Sequence, residues 1–172
     1  MKFSFIYFPF FVILFSCKSN LKKIELHYKN GQLKEVYNID NNKNEQGIGY
    51  SYFKDGTIKE IRTYKNGKSN GKCYYYYPNG KLNAKITYLK NIEVDTSYIY
   101  NINGNLESIT IYNEESKPLK DFFFYKNGKI KLKRAFVTST GQIHSYIEFD
   151  QFGFEIKEKS KYVKYKYFND SF

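Results

Sequence analysis

Tryptophan is absent from the 172 residues, methionine occurs once, cysteine and histidine twice each, and proline three times. Each shortage closes off a class of protein. Cys17 and Cys73 are too few for a disulfide-stapled framework. His27 and His144 stand far apart, with no H-x-x-x-H, C-x-x-C or Gly-rich phosphate loop beside them, so no metal or phosphate site is signalled. Both histidines are expected to be structural or exposed. No ten-residue stretch after Cys17 carries a helical apolar stripe, and the only long apolar run is Phe3 to Phe15.

What is abundant is aromatic and basic. Tyrosine (19) and phenylalanine (16) make a fifth of the chain, and the formal net charge is +11. Glycine is placed with a period: Gly31, Gly56, Gly80, Gly104, Gly128 and Gly153 are 25, 24, 24, 24 and 25 residues apart. Asn or Asp precedes five of them (Asn30, Asp55, Asn79, Asn103, Asn127). An aromatic stands three or four positions earlier (Tyr28, Phe53, Tyr77, Tyr100, Tyr125, Phe149), and Leu33, Ile58, Leu82, Leu106 or Ile130 follows two positions on. A fixed period of this size marks a repeat architecture whose units bury apolar surface against their neighbours.

Asn66-Gly67 and Asn79-Gly80 are the dipeptide preferred by two-residue type I′ turns, which need a positive φ at both positions, so each is expected to close a hairpin. Strands are predicted at Ile24 to Lys29, Gln32 to Ile39, Ile48 to Lys54, Thr57 to Lys65, Lys72 to Tyr77 and Lys81 to Leu89. They continue at Asp95 to Tyr100, Asn105 to Tyr112, Asp121 to Lys126, Lys129 to Val137, Gln142 to Phe149 and Tyr162 to Phe168. Asp40 to Gln46 has no apolar residue and reads as a loop; Asn113 to Pro118 and Thr138 to Gly141 read as turns. Leu82, Ala84, Ile86 and Tyr88 alternate onto one face, as do Ile130, Leu132 and Phe136, whereas Ile58, Ile61 and Tyr64 slip out of alternation and call for a bulge. Lys164 and Lys166, opposite Val163, Tyr165 and Tyr167, suit an edge strand.

The fold class is therefore all-β: an elongated antiparallel array of β-hairpins in a single twisted meander sheet, period about 24 residues, occupying residues 24–172. Tyr74 to Tyr77 set aromatics on both faces of one strand. A single sheet stabilises itself by cross-strand pairs of roughly 0.2–1 kcal/mol each, which suits tyrosine, because its ring packs while its hydroxyl stays wet.

Met1-Lys2 followed by the apolar run and Ser16-Cys17 has the make-up of an export signal over residues 1–16, too short for a membrane span of about 20 residues. Leu14-Phe15-Ser16-Cys17 resembles the bacterial lipobox, with Phe15 bulkier than that pattern usually has. The resemblance implies cleavage between Ser16 and Cys17, lipid on Cys17, and a tether over residues 17–23. Several acyl chains hold firmly because each buried methylene contributes about 0.8 kcal/mol. An ordinary signal peptide with Cys17 incidental is the alternative.

Removing the leader takes away Lys2 and leaves 27 basic against 17 acidic side chains. Cys73 is then the sole cysteine and cannot form an intrachain disulfide. An exported protein of this charge meets acidic glycans and anionic headgroups, not nucleic acid.

The segment Gly49 to Asn91 resembles the MORN-repeat-variant family, carried by Tyr64, Asn66, Gly67, Lys68, Gly71, Tyr74 to Tyr77, Asn79, Gly80, Lys81 and Leu82. Tyr100 to Leu106 and Phe149 to Gly153 resemble the YD repeat of RHS-type proteins, which has one more residue in its turn. Both families are hairpin arrays, and neither implies a catalytic residue. Taken with the lipobox resemblance and the basic balance, they imply a non-enzymatic, lipid-anchored envelope module that binds or scaffolds another envelope protein or an acidic glycan. An antitoxin-like or immunity protein that occludes a toxin is the alternative. Tyr74, Tyr75, Tyr76 and Tyr77 form the candidate binding face. Neither cofactor nor metal is expected. Asp40, Glu45, Asp55, Asp95, Glu114 and Glu115 lie in or beside turns, where carboxylates end strands more often than they do acid–base work.

Overall fold

The computed structural model describes residues 20–137 and 143–156. The expected strand Tyr162 to Phe168, the turn Thr138 to Gly141, and the leader with Ser16 and Cys17 lie outside these residues. Twelve strands form one antiparallel sheet: β1 (Lys22–His27), β2 (Leu33–Ile39), β3 (Glu45–Tyr52), β4 (Ile58–Lys65), β5 (Lys68–Ser69), β6 (Gly71–Tyr76), β7 (Leu82–Leu89), β8 (Ile92–Tyr100), β9 (Leu106–Tyr112), β10 (Pro118–Phe124), β11 (Ile130–Phe136) and β12 (Ile143–Glu148). Strands neighbour in chain order, with β5 a two-residue flap on β4 before the chain continues into β6. Every substantial contact joins strands adjacent in the sheet, the nearest-neighbour pattern of a repeat array.

One edge of the meander has uniform turns, whereas the other mixes five-residue reversals, at 40–44 and 113–117, with two-residue turns. Along one edge the glycines occupy five-residue reversals: Gly31 N–H bonds Tyr28 O and Tyr28 N–H bonds Gln32 O, and the same pair of bonds recurs at 53–57, 77–81, 101–105, 125–129 and 150–154. Only the glycine takes a positive φ there, 78° at Gly80, while Asn79 does not. Asn79-Gly80 is thus a three-residue loop with glycine at its left-handed position, not the two-residue turn its dipeptide predicts. Its side chain explains the difference: Asn79 Oδ1 accepts from Lys81 N–H at 3.1 Å, a cap that works with Asn in the right-handed region. On the opposite edge Asn66-Gly67 does form the two-residue turn (φ 52° and 72°), as do Lys90 and Asn91 (54° and 72°). The latter hairpin extends β8 back to Ile92, three residues before the expected start at Asp95.

Returning strands carry an extra residue at a fixed place: Lys34, Lys59, Asn83, Glu107 and Lys131 each sit inside a one-residue register shift. The shift at Lys59 accounts for the broken alternation at Ile58. At Asn83 it pairs Leu82 with Tyr76, although Ala84 pairs with Tyr75, so Leu82 does not continue the face of Ala84, Ile86 and Tyr88 as alternation predicts. The expected loop to Gln46 ends at Asn44, because Glu45 and Gln46 already pair with Ile39 and Asn38.

The turns at 101–105 and 150–154 have the same length as the others. Their aromatic stands four positions before glycine because Tyr100 ends β8 and Phe149 follows β12, and an Asx residue opens the loop instead. Asn101 Oδ1 accepts from the amides of Asn103 (3.0 Å) and Asn105 (3.1 Å). Asp150 does the same for Phe152 and Phe154.

No second layer covers the sheet among the described residues, and its core is correspondingly small. Cys73, Ala84 and Phe122 are its buried apolar side chains. Most others sit half-buried, as they must in a sheet one layer thick.

Candidate binding faces

Register divides the side chains into two faces. One row runs across eleven strands through directly opposed residues: Glu25, Val36, Tyr50, Ile61, Tyr74, Lys85, Tyr98, Ile109, Phe122, Lys133 and Ile147. The adjacent row, on the opposite face, runs Leu26, Glu35, Ser51, Glu60, Tyr75, Ala84, Ile99, Ser108, Phe123, Leu132 and Glu148.

Charge follows this division. With the first row go Lys23, Lys72, Lys85, Lys120 and Lys133, against Glu25. With the second go Glu35, Glu45, Glu60, Glu93, Asp121 and Glu148, against Lys22, Arg62 and Arg134, with Lys34 and Lys59 beside it at the bulges. The tyrosine–lysine face is net positive and the other net negative. On the positive face the Lys85 ammonium lies 5.3 Å from the Tyr98 ring centre, and that of Lys133 lies 5.4 Å from Phe149, positions that place cations beside apolar rings.

The opposite face satisfies much of its charge internally. Arg62 bonds Glu60 through Nε, donates from Nη1 to Ser69 Oγ at 2.7 Å and from Nη2 to Tyr75 OH at 2.9 Å. Burial works against the guanidinium charge, but the Glu60 carboxylate outweighs it and holds Arg62 above the usual arginine range. Tyr75 OH lies 3.3 Å from Tyr88 OH, and Tyr112 OH donates to Glu93 Oε2 at 2.6 Å. Burial pushes the Tyr75 phenol up, and the Tyr88 bond adds to it. Further along, Arg134 clamps the buried Asp121, with Nη2 to Oδ2 at 2.5 Å.

The four tyrosines singled out from the sequence therefore do not act together. Tyr74 and Tyr76 point to the positive face, and their hydroxyls bond no described residue. Tyr75 belongs to the Arg62 network, and Tyr77 opens a turn and donates to Tyr100 O at 3.0 Å. The sequence suggests a tyrosine- and lysine-rich face, but which lysines align became visible only through the register, because they come from separate strands.

The edge turns explain why Tyr77, Asn79 and Lys81 recur as Tyr125, Asn127 and Lys129. Tyr77 OH, Asn79 Nδ2 and Lys81 Nζ bond the carbonyls of Tyr100, Ile102 and Asn103 in the next turn of that edge. Tyr125, Asn127 and Lys129 repeat the arrangement on Phe149, Gln151 and Phe152. These are structural staples.

Cys73 is fully buried against Ile86, and burial raises its thiol, so it packs as a small apolar residue. His27 is exposed on β1. Asp40 and Asp55 cap turns; the side-chain bond from Gln46 lowers the first carboxyl and that from Thr57 lowers the second. Among the described residues no three His, Cys, Asp or Glu side chains are grouped to hold a metal ion.

No curated protein matches the sequence. Among solved structures, part of TarM is similar, with a TM-score of 0.37 and 12% identity over 70% of this chain and 20% of that one. A structure of an S. aureus TarM mutant in complex with Fondaparinux, alpha-GlcNAc-glycerol and UDP gives 0.26 and 11%, over 73% and 19%. This chain spans about a fifth of their length. Scores this low tie neither its fold nor its function to theirs. Residues 45–66 and 69–90 each match the family described as MORN repeat variant, so two consecutive units at the centre of the array are similar to MORN repeats.

Proposed function

We propose that the chain is a non-enzymatic binding or scaffold module of a bacterial cell envelope, anchored by lipid on Cys17, that presents its tyrosine–lysine face to another envelope protein with an acidic surface or to an acidic glycan. The observation that carries this reading is the segregation of charge. Lysines are concentrated on one face of a sheet, and on the other Glu60 and Asp121 are paired with Arg62 and Arg134 while Glu93 is bonded by Tyr112. A surface of one sign steers and selects partners of the other sign, with an attraction that salt screens. Tyr74, Tyr76 and Tyr98 add broad contact area whose rings need little further ordering.

The test is capture of partners from envelope extracts by the anchored protein, compared with a Lys85→Glu/Lys133→Glu variant. Salt-sensitive capture that the variant loses supports the reading, and capture that the variant leaves unchanged overturns it. Substituting Tyr74 with Tyr76 should weaken capture, whereas substituting Tyr75 with Tyr77 should act on stability. For the anchor, fatty-acid labelling that disappears in Cys17→Ser is the expected result; an unlabelled wild-type protein refutes it.

A further inference from the structure

On the negative face, between β2, β3 and β4, an open groove of about 230 Å³ lies beside Tyr37, Gly49, Ser51, Glu60 and Tyr64. It differs from the rest of that face in what its hydroxyls do. Tyr75, Tyr88 and Tyr112 spend theirs on one another, on Arg62 and on Glu93. Those of Tyr37, Tyr64 and Ser51 bond no described residue, and since no buried polar atom of the described residues lacks a partner, they open to solvent. Burial, opposed by Arg62, raises the Tyr64 phenol, so it remains a donor at neutral pH.

The carboxylates of the groove are compensated, and its remaining charge, Lys59, is exposed, where water and salt screen it. Glu60 is bonded to Arg62, and Glu35, which also lines it, is 3.2 Å from Lys34. An ion would gain little there. A neutral polyhydroxyl ring gains more: its C–H face packs on phenol rings while its hydroxyls donate to the carboxylates and accept from tyrosine and serine hydroxyls. At below ~300 Å³ the groove is smaller than the pocket of a drug-sized ligand and matches a single ring.

We propose that this groove is a subsite for one ring of a neutral sugar, seated on the ring of Tyr64 where that ring covers Gly49, and hydrogen-bonded by the hydroxyls of Tyr37, Tyr64 and Ser51 and by Glu60. It lies on the face opposite the lysine column and does not depend on the function proposed for that column.

The full chain is titrated with soluble neutral oligosaccharides, one series each of glucose, mannose, galactose and N-acetylglucosamine units, followed by calorimetry and by tyrosine fluorescence, which no tryptophan obscures. Saturable binding of at least one series is expected, unchanged by added salt. Tyr64→Phe, which keeps the ring and removes the hydroxyl, is expected to weaken it about tenfold, and Lys85→Glu to leave it unaltered. Tyr64→Phe and Tyr37→Phe should keep the wild-type circular dichroism and melting profile, so that lost binding reports the groove. No saturable signal with any series up to ~10 mM, or binding that both phenylalanine variants leave untouched, overturns the proposal.

Discussion

The ring of Tyr64 on β4 lies against Gly49 on β3 so closely that a Cβ at Gly49 would stand 2.9 Å from Tyr64 Cε2, and 3.2 Å from Tyr37 Cβ on the other side. Gly49 is not there for its backbone, since it is absent from the positive-φ glycines. It supplies room for an aromatic side chain to cover a strand that has no side chain of its own, a device that lets a one-layer sheet keep its backbone dry. Gly49→Ala is therefore expected to destabilise by overpacking, about 1–3 kcal/mol by urea denaturation. In a double-mutant cycle with Tyr64→Ala the two penalties should be strongly non-additive. Additive penalties would show that the contact is not the cause.

The tyrosine staples give a second expectation. Tyr28, Tyr77 and Tyr125 open alternate edge turns, and each donates its hydroxyl to a carbonyl of the neighbouring repeat, at 2.7, 3.0 and 2.7 Å. Phe53 opens the turn between the first two and has no hydroxyl to give. Tyr77→Phe should cost roughly 0.5–1.5 kcal/mol, the net worth of one hydrogen bond. The converse change, Phe53→Tyr, should stabilise by up to a similar amount, read as a raised melting temperature. A fall in stability on adding the hydroxyl would mean that the carbonyl beside Phe53 is not positioned like its counterparts.

These examples mark how far the sequence could be read. The period, the all-β meander and the two-residue turn at Asn66-Gly67 were legible because they depend on local chemistry: glycine spacing, Asx caps and β-branched or aromatic runs. The turn at Asn79-Gly80 was misjudged because the same dipeptide serves two loop geometries, and the cap from Asn79 to Lys81 N–H decides between them. Lys90-Asn91, with no glycine, gave no turn signal, yet both residues adopt positive φ as Asn91 N–H and Oδ1 pair with Ser69 across the edge. The faces were hidden for a different reason. One extra residue per repeat, such as Asn83, breaks the alternation by which a face is traced, so the lysine column could not be followed from strand to strand.

Alkaline pH should loosen the Arg62 and Glu93 networks. Burial, with the bond to Glu93, pushes the Tyr112 phenol up to about 12, and burial raises Tyr64 and Tyr75 also. A folded-state pKa above the unfolded value of about 10 means that the folded protein holds its proton longer. The associated stability is complete below pH ~10 and is lost as pH rises through ~12. Thermal stability should therefore decline above pH ~10, in step with tyrosinate absorbance, and Tyr112→Phe should flatten part of that decline. A Tyr112→Phe protein with the wild-type alkaline profile would place the titration elsewhere.

Asp121 and Arg134 bring the largest single effect into view. Asp121 on β10 is 4% exposed and pairs across the sheet with Arg134, which grips both carboxylate oxygens and lies 4.8 Å from the Phe123 ring centre. A one-layer sheet has few places where a charge can be withdrawn from water, and here the withdrawal is tolerable only because the guanidinium is present. Removing the arginine strands a carboxylate. Arg134→Met should cost about 3–5 kcal/mol, since an unpaired buried charge loses its partner and keeps its desolvation penalty. Removing both charges, in Asp121→Leu with Arg134→Met, should recover most of that loss, because the hydrophobic pair packs among Phe123, Leu132 and Phe136 on the same face. Urea denaturation of the two variants against wild type decides the point. If the double variant is no more stable than Arg134→Met, the ion pair contributes through the position of its side chains and not through mutual neutralisation.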